Sequence, residues 1–243
     1  ELLTSKEYFD IDKSLLYVTV YTEDEAAKNK WIEVGLDCDH IIPLEGNFWE
    51  IGEGPCGPDS EIFFDRGEKY DPNGNALELF KIDEEQERYV EIWNNVFSQF
   101  NSKPGVERHD YKELPSKNID TGAGLERWCC LFQNVDSNFE TDLFVPIMKH
   151  IEELSSFDYV GQKGFKVIAD HIRAITFALS DGACFENVGR GYVLRRLLRR
   201  SVRFGKELGI ECPFMYKSVS DVIDVMKEAY PYLQGKQAEV ETL

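Results

Sequence analysis

Residues 120–127 read Asp-Thr-Gly-Ala-Gly-Leu-Glu-Arg. Two glycines one residue apart, where an extended segment gives way to a helix, let backbone approach a flat or charged ligand with no Cβ in the way. The helix start that follows carries unpaired N–H groups and a partial positive charge. Arg127 stands one turn in and presents a planar fork suited to phosphate oxygens. Asp120 precedes the turn and can hold an ammonium group. Taken alone, the pattern is as readily an ordinary glycine-rich turn with a solvated arginine.

A second constellation lies at residues 194–205. At about 100° per residue, Leu194, Leu197, Leu198, Ser201, Val202 and Phe204 cluster on one side of a helix. Arg195, Arg196, Arg199, Arg200 and Arg203 occupy the other. Five arginines without a lysine favour bidentate phosphate or base-edge contacts, although a solvated basic face is the plainer alternative. Asn187 lies just upstream, and its amide both donates and accepts, as reading a base edge requires. Asp170 and Arg173 read as structural.

The elements that must position these groups divide the chain. Residues 15–21 (LLYVTVY) predict a strand. Residues 22–34 predict a charged surface helix with Trp31 inward, capped by Thr22 with Glu25 as its capping-box partner. Residues 47–58 (NFWEIGEGPCGP) read as a Gly/Pro-rich loop containing Trp49, 61–65 (EIFFD) as a strand, and 71–87 as a polar surface excursion. The longest strand candidate is 88–97 (RYVEIWNNVF). Strict alternation puts Val90, Ile92, Asn94 and Val96 on one face, and Glu91, Trp93, Asn95 and Phe97 on the other. Residues 102–117 read as a hairpin or loop, and a helix is expected from about 124 to 133. Its core face would hold Leu125, Trp128, Cys129 and Phe132. From 138 onward the periodicity is helical. The expected fold is α+β: an antiparallel-sheet part, 1–137, followed by an all-helical part, 138–243.

Composition removes several classes. The chain has 243 residues, 42% apolar and 13% aromatic, which is ample for a core and argues against disorder. No apolar run is long enough for a membrane span, and no signal peptide is visible in the first residues. The chain begins at Glu1, so it is expected to be a piece of a longer product. Cys38, Cys56, Cys129, Cys130, Cys184 and Cys212 form no C-x-x-C pair and complete no zinc spacing with a histidine. Reduced thiols in a cytoplasmic protein without a zinc site are therefore expected.

The eight residues from Asp120 to Arg127 resemble motif 3 of the class II aminoacyl-tRNA synthetases, in the form used by the alanine-specific members. Other segments agree in the same order: NFWEIGEGPCGP with EIFFDRG, EIWNNVF, SNFETDLF, IADHIRAITFALSDG and GRGYVLRRLLRR, together covering about residues 47–200. The resemblance implies an ATP-dependent ligase, with magnesium accompanying the ATP, that activates alanine as its adenylate and passes it to tRNA. By residue, it implies that Trp49 walls the site, Asn94 and Val96 shape the alanine pocket, and Asp120 takes the ammonium group. It further implies that Gly122 keeps the pocket floor open, Gly124 lies against the adenosine and Arg127 reaches the γ-phosphate. Asn187, Arg195, Arg196, Arg199 and Arg203 are the implied contacts to the tRNA acceptor stem, with Asn187 and Arg199 near a G·U wobble pair. Glu91, opposite by alternation, stays unassigned.

The substrate carboxylate is already ionised at neutral pH, so its attack on the α-phosphate needs no general base, and His40, His109, His150 and His171 are not nominated as catalytic. The sequence also departs from the family. Motifs 1 and 2 and the editing domain are not found in this chain, so it is expected to be inactive alone in adenylate formation and in hydrolysis of mischarged tRNA. Residues 52–59 (GEGPCGPD) are a shorter loop than the usual family form and hold one cysteine in place of two. Two other readings share these residues: an RNA-binding relative without ligase chemistry, and an adenylate-forming enzyme with another acceptor.

The formal net charge of -18 argues at first against a polyanionic partner. Residues 163–209, however, hold ten basic against four acidic side chains, leaving the rest of the chain at -24. A basic segment in an acidic chain is suited to orienting an RNA.

Overall fold

The computed structural model describes residues 1–242. The chain forms two compact units, Glu1–Trp128 and Cys129–Leu243, dividing within a helix upstream of the boundary expected at 137/138.

The first unit is built on a six-stranded sheet: β1 (Leu16–Tyr21), β2 (Ile41–Leu44), β3 (Phe48–Glu50), β4 (Gly54–Asp65), β5 (Tyr89–Ser102) and β6 (Lys112–Gly122). The order is β2-β1-β4-β5-β6, and β3 pairs with the first half of β4. All neighbours are antiparallel except β1 and β2. The expected Gly/Pro-rich loop is thus largely strand: β3 and the start of β4 form a short hairpin across it. The expected connection at 102–117 contributes the start of β6, which is an edge strand.

Alternation in β1 sends Val18 and Val20 to one face, where both are buried. That side is covered by α1 (Glu25–Glu33), whose Trp31 donates its indole N–H to Ser60 Oγ at 2.8 Å. The helix is capped by Asp24, which accepts from the Ala27 N–H at 2.9 Å, rather than by Thr22. Thr22 instead donates to Glu45. The opposite face is apolar at one end, where Ile42, Leu44, Tyr89, Tyr17 and Phe63 pack under Phe80 of α2 (Ala76–Lys81). The polar excursion expected at 71–87 therefore holds a helix that closes part of the core.

After β6 comes α3 (Leu125–Phe132). It packs through Trp128, which meets Trp93 edge-on at 6.3 Å and Phe9 at 5.0 Å. The expected core face is only partly right, because Leu125 and Phe132 are exposed while Trp128 and Cys130 are buried.

The second unit is helical: α4 (Val145–Leu154), α5 (Lys163–Ser180), α6 (Gly189–Glu207), α7 (Val219–Met226) and α8 (Gln237–Thr242). α5 is the central helix, buried on most sides through Phe165, Ile168, Ile172, Ile175 and Leu179. Asp170 pairs with the buried His171, and Arg173 lies over the Phe144 ring at 4.4 Å. The inner side of α6 is lined by Leu194, Leu197, Leu198 and Phe204. Close approach there needs Gly205, where a Cβ would sit 2.5 Å from the Phe214 ring.

Candidate functional site

Register across the sheet decides which side chains meet. Asn94 of β5 pairs with Glu61 of β4 and with Gly122 of β6; Val96 pairs with Asp59 and with Asp120. Directly opposed residues share a face. Asn94, Val96, Asp120 and Gly122 therefore lie on one face, of which alternation along the strand had indicated only Asn94 and Val96, and Asp59 and Glu61 lie there with them. Trp49 pairs with Gly57 in the adjoining hairpin and donates its indole N–H to the Phe97 carbonyl at 3.0 Å. Gly57 is required at that crossing, because a Cβ would sit 2.1 Å from the same carbonyl oxygen.

Glu91 is on this face as well, against the expectation from strict alternation. Ile62 pairs with Trp93, but the next residue, Phe63, pairs with Glu91. Ile92 is the extra residue of a β-bulge and is buried. A bulge shifts alternation by one, so Glu91 and Asn94 come to the same side. Glu91 then accepts from Arg127 at 2.6 Å through its carboxylate and at 3.0 Å through its backbone carbonyl. The Arg127 stem lies against Gly124, whose carbonyl accepts the Trp128 N–H at the first turn of α3.

A polar network underlies the face. Asn47 Nδ2 donates to Thr19 Oγ1 at 2.9 Å and to Asp59 Oδ2 at 3.3 Å. Thr19 Oγ1 donates to Glu61 Oε2 at 3.2 Å, and Asn94 Nδ2 donates to Glu61 Oε1 at 3.4 Å. Asn94 Oδ1 is buried and has no partner among the described residues. Burial pushes the Glu61 carboxyl up to about 7, reinforced by the negative charges of Glu91 and Asp59 and opposed by hydrogen bonds from Thr19 and Asn47. Burial also raises Asp59, while hydrogen bonds from Asn47 and Asn94 oppose the rise. Asp120 is exposed and accepts the Thr121 N–H at 2.9 Å. The result is an acidic, donor-poor surface suited to a cationic group, with the guanidinium of Arg127 at its margin.

Sequence reasoning missed Thr19, Asn47, Asp59, Glu61 and Glu91. A signal was present for two of them: Asp59 and Glu61 are two apart in a strand and so share a face. The strand was expected to start at Glu61, which left Asp59 in a loop.

None of the four histidines belongs to this network. His40 bonds the Leu16 carbonyl and stacks on Tyr17, His109 faces Asp110, His150 pairs with Asp221, and His171 with Asp170. A cavity of about 550 Å³ lies elsewhere, in the helical unit, lined by apolar groups such as Ile172, Leu198 and Phe214.

The whole chain, residues 1–243, matches the family model described as tRNA synthetases class II (A). The chain belongs to that family. It is 56% identical over 233 residues to the alanine–tRNA ligase of Acholeplasma laidlawii, and 56% identical over 246 residues to that of Streptococcus mutans. A third relative, the alanine–tRNA ligase of Streptococcus pneumoniae, is 55% identical over 246 residues. These alignments cover 96–100% of this chain and 27–28% of the relatives, so the chain spans little more than a quarter of their length.

In this class II synthetase chain, the arginines of α6 belong to the helical unit. Arg195, Arg196, Arg199, Arg200 and Arg203 are all exposed. Arg195 donates to the Asn187 side-chain oxygen, and Arg203 meets Glu207 at 3.3 Å. Val202, expected on the apolar side, is 41% exposed. Among the described residues, no helix is long and apolar enough to cross a membrane.

Proposed function

We propose that this chain supplies the alanine pocket and part of the ATP site of an alanine–tRNA ligase, together with a surface for the tRNA acceptor stem. One observation carries the reading: strand register gathers Asn94, Val96, Asp120 and Gly122 on one sheet face, and the bulge at Ile92 adds Glu91 beside Arg127.

On this reading the substrate ammonium sits among Asp120, Asn94 and the acidic surface, with Val96 facing its methyl group and Trp49 walling the site. The alanine carboxylate, ionised at neutral pH, attacks the α-phosphate of ATP in line; its oxygen bonds to the α-phosphorus as the bond to the β-phosphate oxygen breaks, giving alanyl-adenylate and pyrophosphate. Gly124 lies against the adenosine of ATP, and Arg127 reaches its γ-phosphate. Positioning and charge neutralisation supply the acceleration. Magnesium accompanying the ATP neutralises phosphate charge. Glu91 lies on the same face, paired with Arg127, and is the acidic side chain we assign to the neighbourhood of such an ion. Among the described residues no group of three or more His, Cys, Asp or Glu side chains forms a metal site.

The exposed arginines of α6 and Asn187 are assigned to the acceptor stem, whose shallow minor groove presents base edges. We place the protein in the cytoplasm, a reducing compartment in which its six cysteines stay thiols.

Alanine-driven exchange of pyrophosphate into ATP by the native-length gene product tests the reading. Alanine dependence is expected. Dependence on another amino acid would assign a different adenylate-forming enzyme. RNA binding without exchange would assign a non-catalytic tRNA-binding module.

A further inference from the structure

We infer that Glu61 is a positioning residue: its carboxylate turns the Asn94 amide so that Oδ1, rather than Nδ2, is presented to the ammonium group of the substrate. The inference rests on the alanine-pocket reading above and extends it to a residue behind the pocket surface.

The direction of each hydrogen bond carries the argument. Above about pH 7, where Glu61 is ionised, its carboxylate only accepts, and a threonine hydroxyl has one proton to give. Asn47 Nδ2 donates to Thr19 Oγ1, so the hydroxyl proton is free to turn to Glu61 Oε2 at 3.2 Å. The other oxygen, Oε1, faces the Asn94 amide at 3.4 Å. An amide oxygen turned toward it would place acceptor against acceptor. Asn94 must therefore give its NH2 to Glu61, and its oxygen is left over. That oxygen is buried and unpartnered, a state that a buried acceptor rarely keeps without a donor to come. The strand partner of Asn94 is Gly122, where the position of a Cβ meets nothing within 4 Å. Space beside the amide is thus open for a ligand. A substrate ammonium brings three donors and no acceptor, which matches an unpartnered oxygen beside that space and is repelled by an NH2 there.

Glutamine at this position is isosteric but carries one acceptor and one donor. It no longer dictates the orientation of Asn94. The test is Glu61→Gln in the native-length gene product, read by alanine-dependent pyrophosphate exchange and thermal melting. KM for alanine is expected to rise by about tenfold or more, with KM for ATP within about twofold and the melting midpoint not lowered. Adding Glu61→Gln to an Asn94→Ala background is expected to change KM for alanine by less than about twofold, because no amide remains to be oriented. An unchanged KM for alanine in the single variant would overturn the inference, as would the same loss recurring in the Asn94→Ala background. A wild-type protein that shows no alanine-dependent exchange defeats the ligase reading itself, an outcome distinct from either of these.

Discussion

Arg127 grips Glu91 twice, through the carboxylate at 2.6 Å and through the backbone carbonyl at 3.0 Å. The two residues stand 36 positions apart, and the bulge at Ile92 brings the carboxylate to the right side of the sheet. Both side chains remain partly exposed, at 42% and 31%. An ion pair in that setting adds about 0.2–1 kcal/mol to stability. Its value is in aiming the guanidinium.

Glu91→Gln should therefore leave the melting midpoint nearly unchanged while lowering alanine-dependent exchange by roughly tenfold or more, because the guanidinium of Arg127 is no longer aimed at the phosphates by a charged partner. Parallel melting and exchange measurements check this. A large fall in melting with exchange scaling to the folded fraction would point to a structural role only.

Glu61 sets a pH dependence of stability. Its carboxyl is raised to about 7 by burial and by neighbouring carboxylates. An unfolded glutamate titrates near 4.3, so between these values the folded state binds more protons than the unfolded chain. The stability from this group is fully present below the unfolded value and is lost as pH rises through about 7. Glu61→Gln removes the titration. Relative to the wild type, the variant should gain stability between pH 5 and pH 8, by at most about 3 kcal/mol before solvent screening is discounted. Denaturant unfolding at the two pH values reads the difference; a constant offset would contradict it.

Two glycines separate packing from binding. At Gly57 a Cβ would collide with the Phe97 carbonyl that also anchors Trp49, whereas at Gly122 it meets open space. Gly57→Ala should cost about 1–3 kcal/mol, as overpacking does, and should shift tryptophan emission. Gly122→Ala should keep the melting midpoint but raise KM for alanine, because the methyl group enters the space beside Asn94. Equal melting losses in the two variants would refute the contrast.

On α6, Arg199 is exposed and Asn187 is tied by its side-chain oxygen to Arg195. The amide NH2 of Asn187 is then the group left to meet a base edge. Arg199→Ala should lower the dependence of log affinity on log salt by about 1, as loss of one phosphate contact does. Asn187→Ala should instead weaken discrimination between G·U and G·C acceptor stems, leaving pyrophosphate exchange intact. Filter binding with paired stem variants across salt concentrations distinguishes the two. Equal loss on both stems for Asn187→Ala would argue for a phosphate contact.

The sequence by itself determined the α+β class, the helical periodicity of α5 and α6, and the residue types of the glycine-rich turn. These are local properties: a 3.6-residue period or a glycine pair needs no distant partner to be read. It also indicated that Asn94 and Val96 share a face, since two residues two apart do so on any unbroken strand. Glu91 was misread for the same reason. Alternation assumes a continuous ladder, and the inserted Ile92 reverses it within one residue. Whether a strand bulges is decided by its neighbour, here by how Ile62 and Phe63 of β4 meet β5. The chain of bonds from Asn47 through Thr19 and Glu61 to Asn94 was likewise invisible. Its links span 28, 42 and 33 positions and exist only because the sheet order is β1-β4-β5. Local chemistry named the groups able to bind; the register of non-consecutive strands decided which of them share a face of the sheet.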